Sequence, residues 1–191
     1  YEKVQSVLSK YNIMFWADEV ITGFGRTGSD FGCTTMNIHD PDMMTFAKQL
    51  SSAYMPISAS AIRRDVYEAM IDQSAAAGAF GHGYTYSGHP VACAVALRVL
   101  EIYERDNIFS RASATGAYLQ EQLKSFESHP LVGEVRGRGL LAALELVPNK
   151  ELEHQFQDGR VGGVAQKMAQ DNGLLIRTVA VSSIGICPPL I

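Results

Sequence analysis

The chain holds few cysteines, no block of like charge, no long apolar run and no internal repeat or low-complexity tract. Its three cysteines, Cys33, Cys93 and Cys187, are widely spaced and form no Cys-x-x-Cys pair. That argues against a disulfide framework or a zinc site and leaves reduced thiols as the simpler expectation. Sixteen Lys and Arg against twenty Asp and Glu give a formal net charge of -4. Without a basic run the chain lacks a nucleic-acid footprint, and any phosphate it binds must be held locally. No stretch stays apolar long enough to span a bilayer, and nothing at the start resembles a signal peptide. Neither a membrane nor nucleic acid is an expected partner, and the expected location is cytoplasmic. The first residue is Tyr1 and the last, Ile191, directly follows Pro188-Pro189-Leu190, so both ends are expected to be cuts in a longer chain.

What is present follows α/β grammar. The 191 residues suffice for one or two domains. Residues 1–12 predict the end of an amphipathic helix with Val4, Val7, Leu8 and Tyr11 on one face. Strands are predicted at 13–17, 43–47 and 57–62, and a short helix at 64–73. The aromatic, glycine-rich segment 78–88 reads as a loop with a function. Val91, Val95 and Val99 recur every four residues in a helix that Pro90 opens, and a second helix spans 110–126 until His129-Pro130 ends it. The tail predicts strands at 132–136, 140–147, 174–177 and 184–187 with a helix at 162–171, a small α+β arrangement. A boundary near residue 104 separates domains 1–104 and 105–191.

Chemistry concentrates at two strand ends. Ile13-Met14-Phe15-Trp16-Ala17 leads into Asp18, and Met43-Met44-Thr45-Phe46-Ala47 leads into Lys48. In an open α/β sheet, ligands sit beyond the carboxyl ends of the strands, so an acid and an amine placed there face one pocket. The pair suits pyridoxal phosphate, which needs a lysine for covalent attachment and an anion for its pyridinium nitrogen. Separately, Asp18 could cap a turn or pair with Arg26, and Lys48 could be a surface lysine. Gly23-Phe24-Gly25-Arg26-Thr27-Gly28 matches the dinucleotide pattern G-x-G-x-x-G. No apolar helical stripe or acidic strand end follows it, so a turn shaping a pocket wall is the expectation over an NAD site. Thr85 or Ser87, before the Pro90 helix, could donate to a phosphate or serve as an N-cap. His82 and His89 are not expected to bind metal. Arg177, read as the end of a strand at 174–176, could take a substrate carboxylate through two oxygens. Arg136 and Arg138 read as structural.

The blocks Trp16-Ala17-Asp18-Glu19-Val20-Ile21-Thr22-Gly23-Phe24-Gly25-Arg26-Thr27-Gly28, Thr45-Phe46-Ala47-Lys48-Gln49-Leu50-Ser51-Ser52-Ala53-Tyr54-Met55-Pro56 and His82-Gly83-Tyr84-Thr85-Tyr86-Ser87-Gly88-His89-Pro90 resemble the class III aminotransferases in order and spacing. The resemblance continues through Val135-Arg136-Gly137-Arg138-Gly139-Leu140 and the final Pro188-Pro189-Leu190. It implies the fold type I architecture of pyridoxal 5'-phosphate enzymes. Residues 1–104 would form the C-terminal part of the large domain and 105–191 the small α+β domain, with an N-terminal half absent and the fragment inactive and poorly soluble alone. It also implies homodimers or larger assemblies, with small amines, amino acids and keto acids as partners.

By that resemblance Lys48 is the Schiff-base lysine, Asp18 the partner of the pyridinium nitrogen, and Val20 packs on the ring. Thr85 binds the phosphate of a neighbouring subunit's cofactor. Ile21 and the stretch around Arg177 look most like ω-transaminases, in which that arginine binds a substrate carboxylate. Other class III members, such as 4-aminobutyrate or diamine aminotransferases and glutamate-semialdehyde aminomutase, share the motifs. A non-catalytic truncated chain is the further alternative. Gln49, Ala53 and Val181-Ser182-Ser183 depart from residues common in the family.

Overall fold

Local signals set most element ends in the computed structural model, which describes residues 1–150 and 160–191. Helix α1 runs Glu2–Lys10, with acid in its first turn and base in its last, as the helix dipole favours. Helix α3, Arg64–Ala77, stops at Gly78, which takes the left-handed conformation at φ 84°. Helix α4, Pro90–Arg105, places Pro90 in its first turn, where a missing N–H costs nothing. Its cap is His89, whose ring accepts from the Ala92 N–H at 3.5 Å. Neither Thr85 nor Ser87 caps it. Ser87 Oγ instead accepts from the Tyr84 N–H at 3.0 Å and closes a turn.

Two compact units result, Tyr1–Gly25 with Ser29–Ile108, and Arg26–Gly28 with Phe109–Ile191. In the first, strands β1 (Trp16–Asp18), β2 (Met43–Phe46) and β3 (Ala59–Ile62) form a sheet in that order, β1 parallel and β3 antiparallel to β2. Strand β1 starts three residues later than the apolar run predicts. The Phe15 N–H is taken by the Asp42 carboxylate at 2.6 Å, and the Phe15 carbonyl accepts from Asp42 and Met43. The buried Asp42 is also paired with the half-exposed Arg63, so an ionic knot stands where the ladder would begin. Ala92, Ala96, Val99 and Tyr103 form the buried stripe of α4.

The second unit holds the antiparallel sheet β4 (Val132–Arg138), β5 (Leu141–Leu146), β7 (Ser183–Ile186) and β6 (Arg177–Val179), in that order. Helices α5 (Ile108–Lys124) and α6 (Arg160–Asp171) contribute Leu119, Leu123 and Ala165 to a core with Ala142, Leu144 and Ile184. The Arg26–Gly28 segment lies in this unit. Leu140 N–H donates to the Arg26 carbonyl at 2.9 Å, and the Arg26 guanidinium donates to the carbonyls of Leu140 (3.1 Å) and Pro188 (2.6 Å). Arg26 is therefore spoken for, and it does not pair with Asp18.

The strand expected at 174–177 is displaced. Gly173 and Leu174 return their N–H groups to Gln170 and Ala169 (3.0 and 2.9 Å) and finish α6, with Gly173 at φ 83°. The ladder can begin only at Arg177, opposite Gly185, and Leu175 is left 84% exposed. Arg177 opens β6 instead of closing a strand. Among the described residues, no helix is long and apolar enough to cross a membrane.

Candidate active site

The parallel register pairs Asp18 with Thr45, so Lys48 follows three residues beyond the partner of Asp18 at the same sheet end. Asp18, Val20 and Lys48 gather there, and the side chains of Asp18 and Lys48 are exposed. The Asp18 carboxylate accepts from the Val20 N–H at 3.0 Å, so it caps the turn that leaves β1 and its second oxygen remains available. Turn capping and ligand binding are compatible in one carboxylate.

Lys48 opens a 3-10 turn, Lys48–Leu50, in the left-handed region at φ 43°. That conformation disfavours a residue with a Cβ and persists only where the surroundings impose it. They do so here. The Lys48 carbonyl accepts from Ser51 and Ala53, both at 3.3 Å, while the buried Tyr103 hydroxyl of α4 donates to the Gln49 carbonyl at 2.9 Å. Ser51, 2% exposed, donates to the Met55 carbonyl at 2.6 Å. Ala53, at φ 62°, sits in a conformation that glycine would take without strain.

Glu19 is the residue the sequence reading passed over. It is 2% exposed, and its carboxylate accepts from Gly32 N (2.8 Å), Cys33 N (2.6 Å) and Thr22 Oγ1 (2.6 Å). The signal was available in the strand alternation: Trp16 and Asp18 face out, Ala17 and Glu19 face in. A carboxylate on the buried phase must find donors. It finds them at the start of helix α2, Gly32–Thr35. Burial pushes the neighbouring Cys33 thiol up to about 12, and Glu19 adds to the shift.

That arrangement removes the dinucleotide reading. The G-x-G-x-x-G segment is followed by a helix of only four residues, and Glu19 occupies the N–H groups a pyrophosphate would need. The segment instead forms a packed turn. Phe24, left-handed at φ 57°, donates its N–H to the Asp30 carbonyl at 2.6 Å, and its ring meets Phe31 and Phe46 at 5.6 and 5.7 Å between centroids. Phe46 lies two residues before Lys48, so this aromatic trio supports the lysine's strand.

Thr85 lies apart, exposed in the loop before α4, and Arg177 belongs to the second unit, exposed at the start of β6. His82 stacks edge-on against Phe80 and Tyr84. Among the described residues, no group of three or more His, Cys, Asp or Glu is placed to hold a metal. Arg136 is bound to Glu134 and Glu145, at 2.8 and 3.1 Å.

A family model for class-III aminotransferases matches residues 1–191. An uncharacterized aminotransferase of Sinorhizobium fredii is 46% identical over the whole chain, which spans 41% of that protein. A probable mitochondrial gamma-aminobutyrate transaminase of rice is 45% identical, with 37% of its length covered. Among solved structures, a thermostable omega transaminase mutant from Pseudomonas jessenii superimposes with a TM-score of 0.96 at 48% identity. An omega transaminase from the same organism in complex with PMP gives 0.95 at 48%. The chain covers 42% of each of these two structures and is itself wholly covered. Its fold is therefore part of the fold type I transaminase architecture.

Proposed function

The chain belongs to the class III aminotransferases, and on that premise we propose that the complete protein moves an amino group from an ω-amino acid or amine to a small keto acid such as pyruvate. The observation carrying this reading is the placement of Asp18 and Lys48 at the carboxyl ends of adjacent parallel strands. An amine and a carboxylate on one rigid sheet end fit the aldehyde and ring nitrogen of pyridoxal 5'-phosphate. When bound, that cofactor supplies the electron sink for charge developing at the substrate Cα. Lys48 Nζ would hold that cofactor through its aldehyde and, when free, would take and return the proton of the substrate Cα. The Asp18 carboxylate would keep a proton on the ring nitrogen, since an adjacent opposite charge favours the charged form. Val20 would pack on the ring, Thr85 would donate to the phosphate of a neighbouring subunit's cofactor, and Arg177 would take the substrate carboxylate. Residues 1–104 then belong to the large domain and 105–191 to the small one, in a homodimer.

Replacing Lys48 by Ala in the complete protein should abolish turnover and the absorbance of the lysine-bound cofactor together; retention of both refutes the assignment. Rates with β-alanine, 4-aminobutyrate and 1-phenylethylamine as donors separate ω-transaminase from 4-aminobutyrate specificity.

A further inference from the structure

We propose that Glu145 is the positioning residue for Arg177: clamped by Ser182, Ser183 and Arg136, it fixes the hairpin that presents Arg177 and is kept from capturing that guanidinium itself. This deepens the reading of Arg177 as the ligand of a substrate carboxylate and rests on it.

The registers of the second sheet set two rows of side chains on the face opposite its core. One row runs Arg136, Ala143, Gly185, Arg177, and the next runs Glu134, Glu145, Ser183, Val179. Adjacent same-face rows lie about 7 Å apart, and Glu145 and Arg177 are two strands, about 10 Å, apart across the sheet. A long arginine and a glutamate cover that diagonal. Small residues, Ala143 and Gly185, form the floor of the lane, and the Val179 side chain leans over Gly185, where an added Cβ would come within 2.8 Å of Val179 Cγ2. Among the described residues the Arg177 guanidinium has no hydrogen-bond or ion-pair partner, so an idle Glu145 on the same face would compete with a substrate for it.

Glu145 is not idle. Ser182 Oγ donates to Oε1 at 2.8 Å, Ser183 Oγ donates to Oε2, and the Arg136 guanidinium reaches Oε2 at 3.1 Å and Ser183 Oγ at 3.2 Å. Both serines are buried. Burial pushes the Glu145 carboxyl up, yet the Ser183 and Ser182 hydroxyls and Arg136 outweigh it and hold it below the ordinary range. The Leu146 N–H also donates to the Ser182 carbonyl at 3.0 Å, fixing a β6–β7 turn that keeps Ala180 left-handed at φ 54°. Ser182 and Ser183, which depart from the residues common in the family, thus have a defined partner.

The test uses the complete holoenzyme and single half-reactions followed by cofactor absorbance, with β-alanine as carboxylate donor and 1-phenylethylamine as uncharged donor. Arg136→Met leaves Glu145 uncompensated, and the KM ratio of β-alanine to 1-phenylethylamine should rise roughly tenfold, the scale of a lost charge-assisted pair. Adding Glu145→Gln to that variant should restore the ratio. Ser183→Ala should move it the same way by a smaller factor, and serves if Arg136→Met does not fold. Equal effects on both donors, no effect, or no restoration by Glu145→Gln overturns the proposal. Arg177→Met is the separate control: if it fails to raise the ratio, the reading of Arg177 is wrong, whereas a raised ratio there beside a neutral Arg136→Met refutes the clamp alone.

Discussion

The two sheets are held by different means. In the second unit, apolar residues from α5, α6, β5 and β7 cover one face of the sheet, and the polar face carries the Glu145 clamp. In the first unit, Trp16 on β1 and most of β3 carry no cover within these 191 residues, which span 41% of the length of the Sinorhizobium fredii relative. Within the chain its strand ends are tied by hydrogen-bonded anchors: Asp42 before β1, Glu19 after it, Tyr103 beside Lys48. The difference teaches that the chemically competent end of the first sheet is set by buried polar groups. Fully satisfied, such groups rigidify and specify the backbone around them.

The comparison can be broken most sharply at Glu19. Glu19→Ala orphans two buried N–H groups and a hydroxyl, and should destabilise the complete protein by about 2–4 kcal/mol, read from chemical denaturation. A loss below ~1 kcal/mol would mean that anchors matter less than faces. In the second unit the equivalent break is steric. Gly162→Ala places a Cβ 2.5 Å from Thr178 Cγ2, where α6 meets β6, and should cost about 1–3 kcal/mol. Its neighbour sharpens the point, because a Cβ on Gly163 meets nothing within 4 Å and Gly163→Ala should stabilise by about 0.5–1 kcal/mol. The smallest effect concerns pH. Because the folded state keeps the Cys33 proton up to about 12 against an ordinary value of 9.0, unfolding is favoured progressively as pH rises between those values. A Cys33→Ser variant should show a flatter stability profile there, and Cys187, exposed, should react with a thiol reagent before Cys33 does.

Much of this architecture was legible in the chain. The helix opened by Pro90, the hairpin around Gly137-Arg138-Gly139 and the non-helical sequel to Gly28 each follow from local rules on proline, glycine and apolar period. The start of β1 and the place of Arg177 were misread because an ionic knot at Asp42 and the cap of α6 claim backbone groups that a strand pattern treats as free. Glu19 was missed beside the more conspicuous Asp18, although the alternation of β1 puts the two on opposite faces.

The sequence by itself determined the family, the order of the elements and the residue types at the two strand ends, since periodicity and motif spacing are local properties of a chain. Only the tertiary structure decided which of two adjacent carboxylates is buried, where Arg26 spends its donors and what holds Glu145. Those outcomes depend on which donors from distant segments arrive at each polar atom, and no local pattern records that.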